Sequence, residues 1–225
     1  METNSFSLLE LFRMGGVFMW PLLLFSVAVI AISLERAVYL GYHNLRMDDL
    51  GAALSAYIKE GDLDQGREYL GPLIKRRMGA RILLTLIDRA SLGEHRMERA
   101  VETQALSCVN SLENGLNFLT ALGSLSPLTG FLGTVSGMIG AFKSIAEATE
   151  VNAQIVANGI YEALITTVFG LIIAIIAMVF HSIFSHIVDK FSADVEQVCS
   201  ELITEMTVPR TLRGQFREMR IHDDH

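Results

Sequence analysis

From Val151 to Val188 the chain carries a single formal charge, Glu162, in the run VNAQIVANGIYEALITTVFGLIIAIIAMVFHSIFSHIV. A stretch this long and apolar reads as a membrane-spanning helix, because every backbone N–H and C=O must be satisfied within the chain where water is absent. At about 1.5 Å per residue, a helix entering the bilayer near Asn152 carries Glu162 roughly 15 Å deep, near the middle of a hydrocarbon core about 30 Å thick. An ionisable side chain there costs on the order of 3 kcal/mol on insertion scales, so it reads as a functional group facing a protein interior or a water path. The competing reading is a structural carboxylate bonded to a buried donor. No Lys or Arg within the apolar runs offers itself as that donor, and Tyr161 beside it reads as an interfacial anchor.

Two further runs, Met14 to Leu34 and Asn114 to Phe142, are uncharged, and a chain that is 51% hydrophobic and only 19% charged is too apolar for a water-soluble domain of its size. The expected fold is an all-α membrane protein with three transmembrane helices and long helices extending into a cytoplasmic helical region. The first run spans about 20 residues, longer than a signal-peptide core, and is expected to be retained. Arg36, Arg46, Arg96, Arg99 and Lys190 flank the spans on one side, whereas the connection between spans two and three offers only Lys143. By the positive-inside rule the N-terminus is outside and the C-terminus inside. The expected layout is a short periplasmic N-terminus at 1–13, spans at 14–40, 114–143 and 153–188, a cytoplasmic helical region at 41–113, a periplasmic loop at 144–152, and a cytoplasmic helix and tail at 189–225.

The net charge of −7 is mixed in sign and shows no basic patch for nucleic acid. Cys108 and Cys199 stand apart from each other without metal or redox spacing and read as reduced, helix-packing residues. In the inner region, Asp48 is a candidate cap for a helix that stops at Gly61, and a second helix resumes after Gly71-Pro72. From about Glu94 the rhythm of Met97, Val101, Leu106, Val109 and Leu112 predicts one long helix running as a stalk into span two, with Gly115 as its only breaker. Val195, Val198, Leu202 and Met206 extend span three to about Met206, with Pro209 marking its end.

Span two carries Gly123, Pro127, Gly130, Thr134, Gly137, Ala141 and Ser144 at alternating spacings of four and three, and span three carries a looser version in Gly159, Ala163, Thr166, Gly170, Ala174 and Ala177. Such faces allow close backbone approach, the means of tight helix association in lipid. They serve either packing within the chain or assembly between copies. The Thr134 hydroxyl on that stripe serves either a neighbouring carbonyl or a pore. Thr166 lies one turn from Glu162 on the same face and Thr167 about 140° round the helix; a carboxylate flanked by hydroxyls suits a proton or a small cation.

The runs PLTGFLGTVSGMIGAF (Pro127 to Phe142) and GIYEALITTVFGLIIAI (Gly159 to Ile175), with GGVFMWPLLLFSVAVIAISLERAVYL (Gly15 to Leu40) and its Glu35-Arg36 exit, resemble the MotA/TolQ/ExbB proton channel family, nearest its ExbB and TolQ branch. The resemblance implies a bacterial inner-membrane homopentamer around two copies of an ExbD- or TolR-like single-span partner bearing a membrane aspartate, itself coupled to a TonB-like or TolA-like protein. It implies ion flow, of H+ with Na+ also compatible, and neither an enzyme activity nor a cofactor. The family's pore glutamate falls on Glu162 and its pore threonines on Thr134 and Thr167. Helical position beside Glu162 favours Thr166, so both are carried as candidates. The chain departs from the family in having Ile175-Ile176-Ala177 where members commonly carry an Ile-Pro-Ala step. A non-conducting membrane scaffold is the second reading.

Overall fold

A computed structural model describes residue 12 and residues 15–147 and 153–207. The remaining N-terminal residues, most of the expected periplasmic loop, and the tail with Pro209 lie outside the described residues. The described chain is helical without a strand: α1 (Met19–Tyr42), α2 (Asp48–Glu60), α3 (Leu63–Leu70), α4 (Met78–Arg89), α5 (Glu94–Glu113), α6 (Leu116–Glu147) and α7 (Ala153–Thr207), with short 3-10 turns at Gly71–Lys75 and Ala90–Leu92. Three segments are long and apolar enough to cross a membrane: α1, the stretch containing α6, and α7. This is an all-α membrane protein.

The chain divides into two compact units, one of residues 1–37 and 115–185 and one of residues 38–114 and 186–225. The second has a core of large aliphatic side chains. In α2, Leu50, Leu54 and Ile58 recur at every fourth position, and all three are buried. In α4, Ile82, Leu83 and Leu86 are fully buried, while Met97, Val101 and Leu112 of α5 and Phe191, Val195 and Leu202 of α7 complete this interior. Removing such side chains from water stabilises by about 1.5–3 kcal/mol each. Cys108 and Cys199 are free and buried, and burial pushes the Cys199 thiol from 9.0 up to about 12.

Local signals account for the element ends. Gly61 closes α2, its N–H donating to the Tyr57 carbonyl at 2.9 Å, and the Asp62 carboxylate caps α3 by accepting from the Gln65 N–H at 3.0 Å. The expected Asp48 cap is displaced by one residue: Met47 holds the cap position, without a side-chain bond, and Asp48 and Asp49 stand in the first turn. There their charges favour the positive end of the helix dipole. Arg77 donates to Asp49 at 2.7 Å, which holds that carboxyl below its usual range.

The expected single stalk helix is interrupted. Asn114 leaves the helical region at ψ 125°, and Gly115 takes φ +92°, where a side chain is strained. The apolar rhythm runs through this point, so periodicity missed a break that backbone conformation imposes. The turn abuts Arg36 of α1: a Cβ on Gly115 would lie 3.3 Å from the Arg36 Nε. Arg36 is itself buried and held by Glu35 through two hydrogen bonds, of 2.5 and 2.8 Å. By contrast, α7 is unbroken through Ile175-Ile176-Ala177, as expected where no proline removes a donor.

Candidate ion-pathway site

In the first unit α6 and α7 meet through their small residues. A Cβ added at Gly130 would come 2.8 Å from the Thr166 carbonyl oxygen, one at Gly137 3.1 Å from the Gly159 carbonyl oxygen, and one at Gly170 2.6 Å from the Ser126 carbonyl oxygen. Gly123 faces Ala174 and Ala177, and Gly159 and Ala163 face Ala141 and Gly137. At Gly130 and Gly170 the opposing backbone is closer than a Cβ tolerates, so a larger residue there forces the helices apart. The two stripes are therefore spent on each other within one chain. Gly133 and Ser126, which the four-three spacing passed over, are buried on the same face: Gly133 abuts Thr166, and the Ser126 Oγ donates back to the Leu122 carbonyl at 2.6 Å. Pro127 is half-buried inside α6 without ending it. Lacking an N–H, it leaves the Gly123 carbonyl without its helical donor.

This close approach brings three hydroxyls to one carbonyl. The Gly130 oxygen is reached by Thr134 at 3.3 Å, Thr166 at 3.3 Å and Thr167 at 3.2 Å. Thr134 also reaches the Ala163 carbonyl at 3.2 Å and contacts the Thr167 hydroxyl directly. The Thr134 and Thr167 hydroxyls own one proton each, fewer than the contacts they share, so the pair has more than one proton arrangement of similar geometry. Both are partly exposed. Thr166 differs: it is 1% exposed, its hydroxyl donates to the Ala163 carbonyl at 2.8 Å, and its Cβ and Cγ2 fill the space over Gly133.

Glu162 precedes Ala163, whose carbonyl belongs to this cluster, yet its side chain goes elsewhere. The carboxylate lies against Gly16, in the turn before α1. It is partly exposed and makes no hydrogen bond or ion pair with Thr134, Thr166 or Thr167. Within this unit the Glu162 carboxylate stands beside the turn that precedes α1. The charged residues Lys143 and Glu147 lie beyond Ala141, the α6 residue that meets Gly159. Sequence offered no signal for Gly16 beyond a Gly-Gly pair beside an apolar run.

Comparison with known proteins agrees with this architecture. The profile of the MotA/TolQ/ExbB proton channel family matches residues 69–197, a segment holding the threonine cluster and Glu162. An ExbB-like biopolymer transport protein of Synechocystis is 30% identical over 208 residues, covering 85% of this chain and 77% of that protein. The biopolymer transport protein ExbB of Pseudomonas putida is 32% identical over 55% of this chain and 36% of its own length, and the Tol-Pal system protein TolQ of Haemophilus influenzae is 38% identical over 43% of this chain and 42% of its own. With the family profile spanning more than half of its residues, this chain belongs to the MotA/TolQ/ExbB proton channel family.

Proposed function

We propose that the chain is the channel-forming subunit of an inner-membrane complex that converts an ion gradient into mechanical work for envelope transport or maintenance. Five copies surround two copies of an ExbD- or TolR-like single-span protein, and a TonB-like or TolA-like protein receives the work. The N-terminus is periplasmic and the C-terminus cytoplasmic, following the basic residues at the span ends. The observation that carries the reading is Glu162: an ionisable group on an otherwise uncharged apolar run, partly exposed and without a cationic partner among the described residues. Membership of a proton channel family and the names of the ExbB and TolQ relatives support it.

In this reading Glu162 gathers the ion on the outer side, and the partly exposed Thr134 and Thr167 hydroxyls offer the next polar stop, since their shared protons can rearrange without a new charge entering the apolar wall. The partner's aspartate receives the ion and loses its electrostatic hold within the ring. A proton moving down the potential supplies about 2.3 kcal/mol per 100 mV. Thr166 is left out of the path because both its burial and its hydroxyl are used by packing. The scaffold reading loses its main support, since the small-residue stripes that would join copies are occupied inside the chain.

The test is the complex with its cognate partner in sealed vesicles, with pH and sodium gradients imposed independently. Glu162→Gln is expected to assemble normally while ion-driven activity drops to background, and the proton gradient is expected to be sufficient without sodium. Full activity in an assembled Glu162→Gln complex would overturn the reading; activity that follows sodium alone would reassign the ion.

A further inference from the structure

The turn leading into α1 is built around a contact that the pathway reading does not use. Gly16 has φ +65°, its carbonyl accepts from the Met19 N–H at 3.3 Å, and the Trp20 N–H reaches the Val17 carbonyl at 3.3 Å. The chain thus turns once and starts its helix. Met19, only 2% exposed, anchors this turn by lying against Gly15, and Ile165 Cγ2 of α7 is 3.3 Å from where a Gly15 Cβ would stand. At Gly16 the direction a side chain would take is already filled. A Cβ there would run into Glu162 Oε1, with the carboxyl carbon at 2.9 Å and Cγ at 3.6 Å.

We propose that the Gly15-Gly16 turn is the seat of the Glu162 carboxylate, and that Gly16 is a positioning residue whose missing side chain is the volume in which that carboxylate rests. The claim rests on the reading of Glu162 as the ion-binding group, but concerns what holds it. Glycine meets two separate demands at this position, a left-handed backbone and an empty Cβ direction. A sharp turn alone needs only the first, which Asn or Asp also tolerate. The second demand comes from another helix, through the one formally charged side chain of its apolar run. The seat fixes how far the carboxylate can swing from α7, and so the distance from which it can pass an ion onward.

The experiment uses the full complex in its native membrane and reads the rate at which a hydrophobic carbodiimide couples to the carboxyl of residue 162, by mass spectrometry, across a pH series. Gly16→Ala displaces the carboxylate by roughly 1 Å or more, and a displacement of that size can change the reactivity of a positioned group by up to about 100-fold. The labelling profile is expected to shift by about tenfold or more in rate, with ion-driven work falling in parallel. Glu162→Asp, shorter by one methylene, withdraws from the contested space. Combined with Gly16→Ala it is expected to label with the profile of Glu162→Asp alone.

An unchanged profile in Gly16→Ala overturns the seat. So does a Gly16→Ala defect that the Glu162→Asp background leaves undiminished, because backbone strain at a left-handed position does not depend on the acid's length. If Gly16→Ala fails to accumulate, recovery of the protein in the double variant supports the seat, and equal loss in both overturns it. A shifted and rescued labelling profile, together with ion-driven work that neither Gly16→Ala nor Glu162→Gln disturbs, leaves the seat standing and removes the ion-binding reading.

Discussion

The two units of this chain solve helix packing in opposite ways. The unit built from α2 to α5 and the end of α7 fills its interior with Leu50, Leu54, Leu83, Leu86 and Phe191, whereas α6 and α7 meet through Gly130, Gly133, Gly137, Gly159 and Gly170. Water makes the first solution work, because burying a large aliphatic side chain removes apolar surface from solvent. In hydrocarbon that drive is largely absent, and helices gain instead by backbone approach and dispersion. The same contrast explains the outward faces of the first unit, where Phe118, Leu128, Phe131, Ile139 and Leu164 stand exposed. Size is stabilising inside the second unit and prohibitive between α6 and α7 in the first, while on the outward faces of the first it is merely permitted by lipid.

The contrast breaks most sharply at Gly130. Gly130→Leu sets a branched side chain against the Thr166 carbonyl, 2.8 Å from the first added atom, where the obstacle is backbone and cannot yield. The expected loss is about 3 kcal/mol or more, the upper end for overpacking, read as loss of the thermal transition of the purified protein in detergent. The reverse change tests the other unit: Leu83→Ala, at a fully buried site of α4, is expected to cost about 2–5 kcal/mol by leaving a cavity. If Gly130→Leu were tolerated while Leu83→Ala was not, the two interiors would be obeying one rule and the comparison would fail.

Much of this contrast was legible in the sequence, because both solutions are periodic. The small-residue spacing located Gly123, Gly130, Gly137, Gly159, Ala163 and Gly170 on the faces that meet, whereas for α2 the sequence reading placed only its ends and not its buried Leu50, Leu54 and Ile58. What periodicity could not carry was anything decided by a single backbone angle or by a contact between distant segments. Gly115 sits inside an intact apolar rhythm, and only its φ of +92° parts α5 from α6. Gly133 falls outside the alternating series because a helix face is wider than one line of residues. The seat of Glu162 joins positions 16 and 162, a pairing that no local pattern encodes.

The finest test of the comparison lies between two adjacent threonines. Thr166 serves packing: its methyl and Cβ cover Gly133, and its hydroxyl bonds carbonyls within and across the helix pair. Thr166→Val keeps the shape and removes only the hydroxyl. Interhelical side-chain hydrogen bonds in membranes average about 0.6 kcal/mol, so the thermal transition is expected to move little and ion-driven activity to persist. Thr167→Val is also expected to fold, because the same small loss applies, but it removes one of the two protons shared with Thr134. Activity is therefore expected to fall in Thr167→Val and to survive in Thr166→Val, with the two proteins equally stable in detergent. Equal activity in both would mean that the exposed hydroxyl pair is packing like its buried neighbour; loss in Thr166→Val alone would move the path to the face that Glu162 and Thr166 share by helical position. The distinction rests on exposure and on the hydroxyl partner, since both threonines reach the Gly130 carbonyl but only Thr167 also meets Thr134.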